Sequence, residues 1–273
     1  MPRMSIARSP RGLRAPGNHS FMLPLRACGA VLLALLVSCH NPAGPQPESS
    51  RDVSITTSDG VVLAATLYAA PAGSPGLVLV HGLGSSRHAW DNFAQKARRA
   101  GFGVVSFDIR GHGQSVKQGG GEITHRTFTT EDWLGALADI DAARAFLVKQ
   151  GADPENTVVI GASMGANLAL HYAVKHRDVP AVVMISPGLD YKGVTTREKM
   201  AELGERPVLL MTSTGDSYSA ASCSTLKPLA AGHCELREYA GTAHGTDLFD
   251  FAPSAVEQIF VWLEPIIGPE PKE

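Results

Sequence analysis

Residues 161–165 read Gly-Ala-Ser-Met-Gly, after the apolar run Thr157-Val158-Val159-Ile160 and before Ala166-Asn167-Leu168-Ala169-Leu170-His171-Tyr172. A β-branched run, a Gly-x-Ser-x-Gly turn and a helix-forming stretch predict a strand, a sharp bend and a helix. Glycine at 161 and at 165 removes side chains where strand and helix nearly touch. Ser163 is then held at the apex with its hydroxyl exposed, as nucleophilic attack requires. A serine hydroxyl is a poor nucleophile at neutral pH, so a base must take its proton and an acid must orient that base. His244, in Gly241-Thr242-Ala243-His244-Gly245, and Asp216, in Thr212-Ser213-Thr214-Gly215-Asp216, are the candidates.

Rivals exist for both roles. Asp190, Asp247 and Asp250 are alternative acids, but Asp216 alone follows a buried-strand pattern in a Gly-Asp turn. Of ten histidines, His19 and His40 fall near the N-terminus, and His88, His125, His171, His176 and His233 read as surface or packing residues. His112 sits in a Gly-His-Gly loop and reads as structural. No His/Cys/Asp/Glu cluster shows metal-ligand spacing, and Gly119-Gly120-Gly121 lacks the Lys-Ser/Thr sequel of a phosphate loop, reading as a flexible surface loop. No cofactor and no metal are expected.

These residues need elements to position them. Segments 53–57 and 61–68 pattern as a hairpin turning at Ser58-Asp59-Gly60. Nearly all-apolar strands follow at 76–81, 104–107, 157–160, 181–185 and 208–211, with a last strand at 235–239. Helices are expected at 89–100, 130–150, after Ser163, at 196–203, 219–231 and 253–263. Alternating buried strands and helices predict an α/β fold with one mostly parallel sheet covered on both faces.

Three motifs then line up in chain order: His81-Gly82-Leu83-Gly84 after the third strand, Asp108-Ile109-Arg110-Gly111-His112-Gly113-Gln114-Ser115 after the fourth, and the Ser163 turn after the fifth. Together with the order nucleophile, acid, histidine, they resemble the α/β-hydrolase superfamily over residues 52–265, in its small-esterase and dienelactone-hydrolase-like branch. The resemblance implies a doubly wound, mostly parallel eight-stranded sheet with helices on both faces. It implies backbone N–H groups of Leu83 and Met164 as oxyanion donors, with His81 and Gly82 supporting the oxyanion loop. Haloalkane dehalogenases and typical epoxide hydrolases share this fold but place aspartate where Ser163 stands. Segment 186–206 is too short for a large cap domain, so an open site without a lid is expected.

The implied chemistry is hydrolysis of a small carboxylic ester through an acyl-enzyme on Ser163, most simply by a carboxylesterase. Thioesterase, amidase and cofactor-free perhydrolase activities are variants of the same mechanism. The reading from another class is a catalytically silent scaffold that binds a ligand or partner at the cell envelope. An intact Ser-Asp-His set argues against it.

The 273 residues are 44% hydrophobic and 18% charged with net charge −2, and carry no basic stripe, so nucleic acid is a poor partner. Residues 1–38 read as a signal peptide: Arg3, Arg8, Arg11, Arg14 and Arg26 precede an apolar run at 27–37, and Met22 is a possible true start. Leu36-Val37-Ser38-Cys39 resembles a bacterial lipobox, which implies a lipid on Cys39; a plain secretory signal with an incidental cysteine is the alternative. Residues 39–51 read as a proline-rich tether, 52–265 as the folded domain and 266–273 as a tail. The expected location is the bacterial cell envelope, facing the periplasm or at the outer membrane, with the membrane reached through the anchor only. Cys223 and Cys234 are then exposed to oxidising conditions, and a disulfide between them would close a short loop.

Overall fold

The computed structural model describes residues 50–268; Cys39 and residues 1–38, where a signal peptide is expected, lie outside them. The chain opens with an antiparallel hairpin, β1 (Arg51–Thr56) and β2 (Val61–Tyr68), in register from Arg51 against Leu67 to Thr56 against Val62. Gly60 takes φ 85° at its turn, where the Thr57 hydroxyl accepts from the Val61 N–H at 2.9 Å. Then come β3 (Gly76–Val80), β4 (Gly103–Phe107), the short β5 (Lys117–Gln118) and β6 (Gly121–Glu122), and β7 (Thr157–Ala162). β8 (Val182–Ile185), the small hairpin β9 (Asp190–Tyr191) and β10 (Val194–Thr195), β11 (Val208–Ser213) and β12 (Cys234–Tyr239) complete the strands.

The helices are α1 (Asp91–Arg99), α2 (Thr130–Gly135), α3 (Leu137–Lys149), α4 (Met164–Lys175), α5 (Arg197–Glu202), α6 (Ser217–Leu226), α7 (Leu248–Phe251) and α8 (Ser254–Ile267). Strand alternation sorts them into layers, since successive side chains point to opposite faces. Leu77, Leu79, Val158, Ile160, Leu209 and Met211 pack with Phe93 of α1 and Ile259 of α8. Val78, Val80, Val159, Val208 and Leu210 pack with Ile140 of α3, Leu168 of α4 and Leu226 of α6.

The sheet runs β12-β11-β8-β7-β3-β4-β2-β5-β6, with β1 on β2. From β12 to β4 the neighbours are parallel; β2 meets β4 antiparallel. The chain steps from β3 outward to β4, then returns to β7 on the other side of β3 and builds away from it. Where winding reverses, the loops leaving the two central strands diverge and open a crevice at their carboxyl ends. Those loops carry His81-Gly82 and Ser163.

All eight expected strands form. Ten belong to the main sheet among the described residues, because the Gly119-Gly120-Gly121 segment is not a loose loop. Gly119 and Gly120 have φ 55° and 87°, the two positive values a tight hairpin turn needs, so β5 and β6 pair. The long helix expected at 130–150 is two, meeting at Ala136, and the first starts with a capping box between Thr129 and Asp132. Segment 186–206 holds the β9–β10 hairpin and α5. Strand β1 starts at Arg51, inside the expected tether, and α8 runs to Ile267, past the expected domain end.

The expected disulfide is absent: Cys223 and Cys234 are both free thiols. Cys223 is fully buried on α6 in the core, and Cys234 packs against the same core from the start of β12. Burial pushes the Cys223 thiol far up and that of Cys234 up to about 11. Both stay protonated and behave as small apolar side chains, the form that does not attack a disulfide.

Candidate active site

Strand β7 delivers Ser163 into a backbone conformation that side chains rarely adopt, φ 55° and ψ −122°. Such a residue costs about 1–3 kcal/mol and persists only where its surroundings enforce it. Enforcement is visible on every side. The Ser163 N–H donates to the Ile185 C=O at 2.8 Å, and its own C=O accepts from the Ala166 N–H at 2.9 Å. A side chain at Gly161 would collide with the Gly165 carbonyl, and one at Gly165 with the Val80 carbonyl. Only glycine permits the strand and α4 to meet this closely.

The expected base and acid converge on this serine. His244 Nε2 lies 2.8 Å from Ser163 Oγ, and His244 Nδ1 lies 2.6 Å from Asp216 Oδ2. A carboxylate only accepts, so Nδ1 carries the proton and Nε2 presents its lone pair to the serine hydroxyl. The two loops are stitched together, as the Gly215 N–H donates to the Gly241 C=O at 2.7 Å and the Gly245 N–H to Ser186 Oγ at 2.9 Å. Asp216 is largely shielded at 12% side-chain exposure, whereas His244 is 44% exposed towards the cavity. The rival Asp190 is engaged elsewhere, accepting from the Gly193 N–H at 2.6 Å, and Asp247 and Asp250 are exposed.

Beside them lies the loop after β3. His81 Nε2 accepts the Ile109 N–H at 2.9 Å, which leaves the proton on Nδ1 to be donated to the Gly82 C=O at 2.7 Å. Full burial pushes the His81 pKa down to about 4, so the ring holds this pair of bonds while neutral. A Cβ on Gly82 would sit 3.1 Å from Ser163 Cβ, which shows how closely the loop lies against Ser163. Leu83, 43% exposed, opens onto the cavity, and Met164 is the buried first residue of α4. Its N–H is one of those a helix start leaves without an intrahelical partner.

The Asp-x-Arg-Gly-His-Gly-x-Ser motif braces that loop. Asp108 accepts from the Arg87 N–H and from Arg87 Nη1, both at 2.7 Å, and from the Gln114 N–H at 2.9 Å. Arg110 reaches Asp139 at 2.7 Å and Asp59 at 2.6 Å, linking α3 to the first hairpin. His112 is buried, stacks on His125 at 3.8 Å and meets the edge of His81 at 5.0 Å. It is a packing residue away from the cavity, as its Gly-His-Gly context suggested.

The cavity holds about 550 Å³. Gly82 to Ser85 form one wall, His244 to Asp247 another, and Asp190, Tyr191 and Lys192 of the hairpin a third. Asp190 stood out in the sequence only as a rival acid, and Tyr191 and Lys192 did not stand out at all. Their signal was present in Lys192-Gly193, a turn ending in glycine between the pairs Asp190-Tyr191 and Val194-Thr195.

A family model described as the alpha/beta hydrolase fold matches residues 75–216, just over half of the chain. The chain belongs to the alpha/beta hydrolase fold family. Within this family, it is 30% identical over 134 residues to a thermostable monoacylglycerol lipase of Bacillus sp. (strain H-257), covering 49% of each. To the thiohydrolase aneE of Aspergillus aculeatus it is 27% identical over 182 residues, 64% of this chain and 54% of the relative. The chain therefore spans about half the length of these two curated relatives. The solved Pyrococcus furiosus esterase Pf2001 shares the fold, with TM-score 0.63 and 19% identity over 80% of this chain and 93% of that one. The matched stretch of the family model ends at Asp216, so the placement of His244 rests on its contacts alone.

Proposed function

We propose that this protein is a serine hydrolase, a carboxylesterase of small esters that works through an acyl-enzyme on Ser163. The observation that carries this reading is the unbroken pair of hydrogen bonds from Asp216 through His244 to Ser163. Ser163 Oγ attacks the ester carbonyl carbon while its proton passes to His244 Nε2. The carbonyl electron pair moves onto oxygen, where the Leu83 and Met164 N–H groups are the donors that receive it. Collapse breaks the carbon–alcohol oxygen bond, and Nε2 returns the proton to the leaving alcohol. Water then repeats the sequence on the acyl-enzyme, releasing the acid and restoring Ser163. Asp216 holds the imidazole in the required tautomer and offsets its positive charge.

Cavity chemistry supports a small substrate. Leu83, Ala162 and Tyr191 are the main apolar walls, and the rest is glycine, hydroxyl and charge. A long acyl chain finds little surface to bury there. The relatives are named as acting on a monoacylglycerol and as a thiohydrolase, so oxygen and thiol esters are the natural first substrates to compare. A fluorophosphonate probe tests the reading: it labels the protein at Ser163 and fails on Ser163→Ala. A protein that neither labels nor turns over any ester is a silent binding scaffold instead.

The envelope location is part of the proposal. Cys39 closes the Leu36-Val37-Ser38-Cys39 pattern and lies outside the described residues. Cys39→Ser is expected to release the protein from membranes of a bacterial host. Unchanged sedimentation with the membranes contradicts the anchor.

A further inference from the structure

The β9–β10 hairpin carries a polar group that the triad leaves unused. It turns through Lys192 (φ 54°) and Gly193 (φ 83°). Tyr218 of α6 pins it, accepting from the Asp190 N–H at 3.0 Å and donating to the Asp190 C=O at 2.9 Å. The Tyr191 ring packs edge-on against Tyr218, centroids 5.6 Å apart. No side chain fits at Gly188, where a Cβ would lie 2.7 Å from the Tyr191 ring. Tyr191 is held in place by packing on several sides.

Its ring lies beside the reacting groups. The hydroxyl donates to the Ser186 C=O at 3.3 Å and shares a hydrogen bond with Ser219 Oγ at 3.3 Å, and Tyr191 lines the same cavity as Ser163. Its ring stands edge-on to His244, centroids 6.4 Å apart and planes at 86°. Ser186 joins the two, because its carbonyl takes the phenol while its hydroxyl takes the N–H of Gly245, the residue after His244. Burial raises the phenol above the ordinary tyrosine range, so the proton stays on through neutral pH. Both 3.3 Å bonds are at the long end for O–H donors, so the proton can turn to a better acceptor at little cost.

We propose that Tyr191 is a further catalytic residue, whose phenol donates a hydrogen bond to the alcohol oxygen of the ester as it departs. The inference rests on the acyl-enzyme reading. His244 Nε2 returns its proton to that oxygen, so the oxygen must come beside Nε2. Tyr191 stands edge-on to His244 in the hairpin wall of the cavity, and the Leu83 and Met164 donors serve the carbonyl oxygen. When the C–O bond breaks, its electron pair stays on the alcohol oxygen and the neutralising proton comes from His244. Tyr191 keeps its own proton throughout. An alkoxide concentrates the charge on one atom and needs this donor, whereas a p-nitrophenolate spreads it over the ring and does not.

Tyr191→Phe keeps the ring and removes the donor. The test compares the methyl and p-nitrophenyl esters of one short acid, with fluorophosphonate labelling of Ser163 as a check that the nucleophile is intact. For the methyl ester, kcat/KM is expected to fall roughly ten- to hundredfold, approaching the scale of a lost transition-state donor. For the p-nitrophenyl ester it is expected to stay within about threefold, since acylation expels a p-nitrophenolate whose charge is already spread over its ring. Equal losses on both esters, or none on either, overturn the role of Tyr191 and leave the serine mechanism standing. Wild-type protein that neither labels nor hydrolyses either ester overturns the mechanism itself.

Discussion

At the scale of residues, the proposed mechanism makes the site one unit, because each group prepares the next. Ser163 alone is an unreactive hydroxyl, and His244 without Asp216 is free to adopt the wrong tautomer. Triad members therefore act non-additively. His244→Ala is expected to reduce kcat about as far as Ser163→Ala, on the order of 10⁶-fold, and the double variant no further. Asp216→Asn is expected to cost less, roughly 10⁴-fold, because its amide can present an N–H to Nδ1 and favour the wrong tautomer. Steady-state rates of the wild type and these four variants on one ester check this; additive losses contradict it. These three residues were legible in the sequence because each sits in a local pattern, a glycine-flanked turn or a strand end, and follows the expected chain order. Tyr191 was not, since its meaning comes from Ser186, Ser219 and His244, which only folding brings near.

Elements decide how firmly those residues are held. Arg87 and Asp108 lie 21 positions apart and are 4% and 1% exposed, so their pair ties the oxyanion loop to the end of β4 in near-complete isolation from water. Removing Asp108 leaves Arg87 with the exposed Asp52 at 3.6 Å as its remaining ion-pair partner among the described residues, and breaking such a buried pair costs about 3–5 kcal/mol. Asp108→Asn is therefore expected to lower Tm by roughly 10 °C, while conservative changes at the exposed Lys199–Glu202 pair leave it nearly unchanged. A shift of only a degree or two contradicts the brace. The motif around Asp108 was visible in the sequence, but its partners Arg87 and Asp139 were not, because ion pairing across elements leaves no periodic trace. Packing across elements likewise sets the state of the thiols at 223 and 234. The short spacing of the two cysteines suggested a bridge; a helix packed over the sheet and the start of an edge strand keep them as separate packed thiols.

The whole molecule carries a titratable cluster beneath the site, and its response to acid follows from burial. His81 and His112 have their pKa values pushed down from 6.5 to about 4, chiefly because their charged forms are excluded from water. The Nε2 of His112 is buried without a hydrogen-bond partner, and that of His81 already accepts the Ile109 N–H. The folded state thus binds these protons less readily than the unfolded chain does. Their stabilisation is complete above pH 6.5 and is lost as pH falls through about 4. Asp139 works in the opposite sense, raised from 3.8 to about 6 by burial, with its contribution lost as pH rises through that range. Urea midpoints are expected to fall between pH 6.5 and 4, and to fall less steeply in His112→Asn. Identical slopes for the two proteins would show that the cluster does not carry the acid response.

The fold, the crevice at the winding reversal and the braced loop all converge on one claim, that Ser163 carries the acyl group during turnover. The most direct measurement is the intact and peptide mass of the protein after brief mixing with p-nitrophenyl butyrate and acid quench. The account predicts a mass gain of one butyryl group on the peptide containing Ser163, together with a burst of p-nitrophenolate, and neither in Ser163→Ala. Steady turnover by the wild-type protein with no adduct on Ser163, or undiminished turnover by Ser163→Ala, would contradict it.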